Sequence, residues 1–248
     1  MKVAFFPGCL VDMFYPEVGM AAVHVLERLG CELELPDEQV CCGQMFFNSG
    51  VVHDARPLMH AVIDSYEKYE TVVSLSGSCA YAIKTEYAPF LRDDPEYAAK
   101  LERLAPRIYE FSEFIVDVLG VTDVGARLDA KVAYHKSCHL TRLMGIERQP
   151  LALLNAVHGL EYVKMEGDDR CCGFGGTFSV KEPEISEQIV HEKVVHAIES
   201  GADYLCGADQ PCLMNIKGAL DRMKRSGEAD TDLQVIHLAQ ILDMQEAS

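Results

Sequence analysis

The chain has 248 residues, 49% of them apolar and 25% charged, with 39 acidic against 22 basic side chains and a formal net charge of −17. At this size about 73% of the surface is buried on folding, so a core forms without a disulfide scaffold, and the composition is globular rather than disordered. The negative charge excludes nucleic acid and anionic membranes as partners, and no apolar run approaches the roughly 18 residues of a membrane span. The apolar stretch at the start is too short for a signal peptide and lacks a small-residue cleavage site, so a cytosolic protein is expected.

In chain order, residues 3–6 form a short apolar strand that Pro7-Gly8 ends. A helix follows with Val18, Ala22, Val25, Leu26 and Leu29 on one face, stopped by Gly30. Residues 31–35 alternate and meet Pro36, which marks a second strand. A helix over about 52–69, a third strand over 71–75 and a helix from about Cys79 complete the first half. Residues 92–110 are charged and read as helical, and 111–119 as a closing helix. The second half repeats the order: a strand at 132–134, a helix ending at Gly159, a strand at 160–163, a helix carrying Ile185, Ile189, Val194 and Ile198, and a strand at 204–206. Alternating βαβαβα predicts an α/β fold with a parallel sheet covered by helices.

The halves are an internal repeat. Lys2 to Cys9 (KVAFFPGC) aligns with Lys131 to Cys138 (KVAYHKSC), Cys41-Cys42-Gly43 with Cys171-Cys172-Gly173, and Cys79 with Cys212. The offset drifts only from 129 to 133 along the way, as loop-length variation between duplicated domains would give. Two domains are therefore expected, 1–125 and 126–248, with the boundary in the segment 121–129.

Ten cysteines in a reducing compartment point to metal or redox chemistry rather than disulfides. Cys9, Cys41, Cys42 and Cys79 each follow a predicted strand and precede a helix, as do Cys138, Cys171, Cys172 and Cys212. These positions collect at the carboxyl edge of each sheet, where open α/β folds bind ligands. A vicinal disulfide at Cys41-Cys42 would be strained and would leave two thiols unexplained. Tetrahedral zinc suits four thiolates, although adjacent cysteines rarely both reach one small ion. An iron–sulfur cluster removes that constraint, because neighbouring cysteines can ligate different irons.

Cysteine, about thirty residues, Cys-Cys-Gly, about forty residues and Ser/Asp-x-x-Cys, twice over, resembles the cysteine-rich CCG domain. That domain occurs in heterodisulfide reductase, in anaerobic glycerol-3-phosphate dehydrogenase and in the iron–sulfur component of glycolate oxidase. Phe-Pro-Gly-Cys-Leu-Val-Asp at 6–12, Ser-Gly-Ser-Cys at 76–79, His-Lys-Ser-Cys-His at 135–139 and Cys-Cys-Gly-Phe-Gly-Gly-Thr-Phe at 171–178 are similar to the stand-alone lactate-utilization protein A family. The resemblance implies an electron-transfer subunit of a complex oxidising L-lactate to pyruvate, with lactate-utilization proteins B and C, or an equivalent iron–sulfur or flavin protein, as partners.

The resemblance also implies clusters on the eight aligned cysteines, one per domain. The broader pattern ends each half in Cys-x-x-Cys, whereas Ser76 and Asp209 stand at the first of those positions here. Four cysteines per half fit a [4Fe–4S] cluster better than a larger non-cubane one, and zinc in one domain stays open. No ferredoxin-type cysteine run is present, so onward electron transfer requires a partner. Two other functions remain open: disulfide reduction at a cluster, and a zinc-stabilised scaffold.

The remaining candidates are weaker. Cys31 begins a strand and reads as a small buried hydrophobe, and Cys206, which aligns with Val73, reads as packing or a spare ligand. His135 and His139 flank Cys138 and could ligate or tune a cluster, bind a carboxylate or bond to backbone. Ser76 and Asp209 could bond to cluster sulfur or backbone, and Asp209 could also serve as an oxygen ligand. Gly173-x-Gly175-Gly176 is not a dinucleotide fingerprint.

Overall fold

The structure is a computed structural model and describes residues 1–245. In strand β1 (Lys2–Phe6) four buried residues follow Lys2, the pattern of a strand covered on both faces. The chain then turns into α1 (Cys9–Phe14) and α2 (Pro16–Arg28), with Pro16 at the first helical position, where a missing N–H costs nothing. β2 (Glu32–Glu34), α3 (Gln44–Ser49) and α4 (Arg56–Tyr66) follow. β3 (Val72–Ser74), α5 (Gly77–Tyr81), α6 (Pro95–Leu104), β4 (Ile108–Glu110) and α7 (Phe111–Glu113) complete the first half, and α7 continues as a π-helical turn at Phe114–Val118.

The second half runs β5 (Lys131–His135), a π-helical turn at Cys138–Leu143, α8 (Arg148–Ala156), β6 (Glu161–Tyr162), α9 (Phe178–Lys181) and α10 (Pro183–Glu199). It ends with β7 (Tyr204–Gly207), α11 (Gln210–Ser226), β8 (Gln234–His237) and α12 (Leu238–Asp243). Among the described residues no helix is long and apolar enough to cross a membrane.

Each half builds a four-stranded parallel sheet, ordered β2-β1-β3-β4 and β6-β5-β7-β8. The α/β class and the repeated parallel sheets match the sequence expectation, but each sheet has one strand more than predicted. Residues 108–110, read as the end of a helix, pair with β3 (Val72↔Ile108), and residues 234–237 pair with β7. Neither stretch stands out in the sequence: Ile108-Tyr109-Glu110 runs on from a charged helical segment, and Gln234-Val235-Ile236-His237 is polar at both ends.

Strand alternation divides the core into three. Val3, Phe5, Val73 and Leu75 point to one side of the first sheet, and Val132, Tyr134, Cys206 and Ala208 to one side of the second; all belong to a single cluster shared by both halves. Ala4, Phe6 and Val72 face a core private to the first half, and Ala133 and Leu205 one private to the second. The shared face is tied at its edges. Arg28 of α2 donates to the carbonyls of Val124 (3.2 Å) and Leu242 (2.6 Å), and Gln149 of α8 donates to Asp117 at 2.6 Å. Since α2 packs on α12 while its counterpart α8 packs on residues 111–118, the halves meet with approximate two-fold symmetry.

Glu110 stands at the start of α7, which packs on α8 of the second half. Glu110 is fully buried and caps α7 by accepting from the backbone of Ser112 (2.8 Å) and Glu113 (3.2 Å). Its other oxygen has no partner, and burial pushes its carboxyl from 4.5 to about 7. The folded chain therefore binds this proton more tightly than the unfolded chain, so the stabilisation is complete below pH 4.5 and is lost as pH rises through about 7. Glu110→Gln keeps an acceptor for the cap and removes the titration. Relative to wild type it should gain on the order of 3 kcal/mol between about pH 4.5 and pH 8 in urea unfolding; parallel pH profiles would contradict this origin.

Candidate metal centre

The strand order puts the first half's switch point between β1 and β3: the chain leaves β1 for β2 on one side and returns to β3 on the other. A crevice opens at the carboxyl ends of such neighbouring strands. Cys9 lies just past β1 and Cys79 just past β3, each in the first turn of a helix. The loop after β2 carries Cys41 and Cys42 to the same place. In the second half Cys138 follows β5, Cys212 follows β7 and the loop after β6 carries Cys171 and Cys172.

All eight predicted cysteines line one cavity of about 270 Å³ between the halves. Within the first set Cys9 donates to the Cys41 sulfur at 3.6 Å and Cys42 to the Cys79 sulfur at 3.0 Å. In the second set the thiols are close enough to shift one another's protonation, Cys171 through Cys138 and Cys172, and Cys172 through Cys171 and Cys212. Among the described residues all ten cysteines are free thiols, Cys41 and Cys42 included. Gly43 and Gly173 both have φ +79° and turn their N–H groups back onto the sulfurs of Cys41 (3.4 Å) and Cys171 (3.3 Å). That left-handed turn explains the glycine of each Cys-Cys-Gly.

The thiols are electrostatically unequal. Hydrogen bonds from Cys42 and then Cys9 hold Cys41 far below an ordinary thiol, and bonds from Cys138 and then Cys172 do the same for Cys171. The donors Cys9, Cys42, Cys138 and Cys172 are pushed up in return. Each set thus concentrates negative charge on the first cysteine of its pair. Soft sulfur donors from three loops suit a thiophilic metal or an iron–sulfur cluster.

The repeat and its cysteines identify the family. The model of the cysteine-rich CCG domain matches residues 3–84 and again 132–217. Over 243 residues, 98% of this chain and 99% of the relative, the chain is 50% identical to lactate utilization protein A of Bacillus subtilis (strain 168). Over the same span it is 51% identical to lactate utilization protein A of Bacillus velezensis. This chain belongs to the lactate utilization protein A family. Among solved structures, a hypothetical protein from Helicobacter pylori shares the fold, with a TM-score of 0.71 at 13% identity over 100% of this chain and 49% of that one.

In this family member the other sequence candidates fall into distinct places. Ser76 and Asp209, at the positions of the missing fifth cysteines, bond to each other rather than to sulfur: Ser76 donates to Asp209 at 2.5 Å and Ser78 at 3.0 Å. Asp209 is buried, and burial raises its carboxyl against the pull of those hydroxyls and of His139. Cys31 and Cys206 lie in the shared core, away from both sulfur sets, which bears out the packing reading of each. His139 lines the cavity and lies 3.5 Å from the Cys138 sulfur. His135 is buried against Cys172 and Cys212.

Some supporting residues carried no signal in the sequence. Tyr87 donates to the Cys42 carbonyl at 2.7 Å and Asn215 to the Cys172 carbonyl at 2.9 Å, the same role at the same place in the two halves. Ser186 adds a bond to the Gly173 carbonyl at 2.8 Å. Tyr87 and Asn215 differ in type, so aligning the repeats does not expose their common task.

Proposed function

We propose that this chain is a cytosolic iron–sulfur electron-transfer subunit of an oxidoreductase complex that oxidises L-lactate to pyruvate. The relatives' name, lactate utilization protein A, supports the pathway. Cys9, Cys41, Cys42 and Cys79 would hold one [4Fe–4S] cluster and Cys138, Cys171, Cys172 and Cys212 the other, within the domains 1–125 and 126–248. When bound, such clusters accept and release electrons singly. The observation that carries the reading is the shared cavity, since two sulfur sets on one wall-to-wall space bring two redox centres together.

Lactate oxidation releases two electrons and two protons, and the chemistry at carbon belongs to a partner. The residues lining the cavity include no lysine or arginine to hold a carboxylate; His139 is the basic side chain among them, and it stands near Asp209, which would repel one. Lactate-utilization proteins B and C, or an equivalent iron–sulfur or flavin protein, are the proposed partners. Disulfide reduction is disfavoured because Ser76 and Asp209 are locked to each other where a fifth cysteine would stand.

The sulfur separations favour one second reading, a zinc-held scaffold. Four thiolates at 2.3 Å around zinc lie about 3.8 Å apart, and the paired sulfurs here lie at 3.0 and 3.6 Å. Metal and acid-labile sulfide content of anaerobically purified protein decides between the two. Iron with matching sulfide, and an electron paramagnetic resonance signal on reduction, is the expected result. Zinc without sulfide would sink the redox reading and leave the scaffold.

A further inference from the structure

The two sulfur sets are not equivalent on their buried side. Aligned from Lys2 and Lys131, β1 and β5 match residue for residue, so His135 stands where the first half has Phe6. Phe6 packs in the private core with Cys42 and Cys79 and lies 5.3 Å from the Tyr66 ring, so the first half has an apolar side chain at this place. His135 occupies the corresponding place with 1% of its surface exposed, and among the described residues neither ring nitrogen has a hydrogen-bond partner of regular geometry, the Asp168 carbonyl being the nearest acceptor in play.

A ring nitrogen of His135 and the sulfurs of Cys172 and Cys212 all lie within 4.8 Å of one another. Burying a polar group with no partner costs about 1–3 kcal/mol, so a buried imidazole facing two thiols needs a use. Lys193, the nearest cation, does not supply one: its ammonium donates to the carbonyls of Gly167 and Asp168. The Asp168 carbonyl also lies beside the imidazole, on the pattern by which a backbone oxygen orients a metal-bound histidine through its other nitrogen.

We propose that His135 is a ligand of the second site and shares its metal centre with Cys172 and Cys212. The first site is then held by four thiolates, whereas at the second His135 takes the place of one of the four thiolates assigned above and leaves three thiolates and one imidazole. This inference rests on the metal-binding function proposed above. Replacing thiolate by neutral imidazole removes negative charge from the centre and raises its reduction potential. With iron–sulfur clusters bound, the second site is therefore the better electron acceptor of the two.

The test uses full-length protein, purified anaerobically, with and without 15N-histidine, and pulsed electron paramagnetic resonance of the reduced form. The expected result is a strong histidine-nitrogen coupling in one of two signals, lost in His135→Phe, the residue of the first half. His135→Phe should also shift the second potential downward. His135→Cys, which restores a soft ligand, should keep full iron and sulfide while losing the coupling; it serves if the phenylalanine variant does not fold. Iron and sulfide with no histidine coupling in wild type, or a coupling that survives both substitutions, would overturn the role of His135 and leave the electron-transfer function standing. If the metal is zinc without sulfide, the redox function fails. Absorption at the zinc edge then decides for His135 if a nitrogen scatterer is lost in His135→Phe, and against it if the shell is all sulfur.

Discussion

Cys41→Ser is expected to empty the first site while the second keeps its metal. Hydrogen bonds from its neighbours and from the Gly43 N–H hold the Cys41 thiol well below the ordinary range, and its loss removes one of the four sulfur donors that the first site has to give a metal. Serine oxygen is a harder and far less acidic ligand. Metal content should fall by about half, with one of two redox signals lost, if each half holds one four-thiolate cluster. Cys206→Ala is the control: this thiol is fully buried in the shared core and lies away from both sulfur sets. It should cost about 1 kcal/mol of stability by leaving a small cavity, with iron and sulfide unchanged. Unchanged metal in Cys41→Ser, or lost metal in Cys206→Ala, would refute the proposed ligand set.

Gly77→Ala should loosen the joint between the halves. A Cβ at residue 77 would lie 2.9 Å from both Cβ and Cδ1 of Leu140 and 3.4 Å from its Cα. Rotating the leucine side chain relieves only the Cδ1 contact, so the π-helical turn carrying Leu140 must move as a body. Cys79 is two residues from Gly77 and Cys138 two from Leu140, so both sulfur sets are strained by the same displacement. The expected cost is about 1–3 kcal/mol, the range of core overpacking, with reduced metal retention in both halves. Gly218→Ala provides the contrast, because nothing lies within 4 Å of its would-be Cβ in α11. It should stabilise by about 0.5–1 kcal/mol. Urea midpoints at unchanged slope check both, and equal midpoints for Gly77→Ala and wild type would show that this contact is not a constraint.

Much of this molecule is legible in the order of its residues. Lys2-Val-Ala against Lys131-Val-Ala, and Cys-Cys-Gly against Cys-Cys-Gly, reveal the duplication. Strand-then-cysteine spacing places each thiol on a loop at the carboxyl edge. The short strands β4 and β8 escaped because one continues a charged helical segment and the other is polar at both ends, and only pairing with a buried neighbour makes them strands. Tyr87 and Asn215 escaped because a side chain that holds a loop carbonyl leaves no spacing rule behind.

What the sequence determined alone is local: the repeat, the α/β alternation, the turn glycine after each cysteine pair and the grouping of four thiols per half. Each follows from chain connectivity and short-range geometry, which a linear pattern preserves. Only the tertiary structure decided how the halves meet. Val3, Phe5, Val132 and Tyr134 turn toward a common core because alternate strand residues face opposite sides, and burying both sheets against each other brings the two thiol sets onto one cavity. The same docking sets Ser76 against Asp209, 133 residues apart in the chain. It leaves His135 beside Cys172 and Cys212 where the first half has Phe6, a difference whose chemical meaning depends on what each side chain touches.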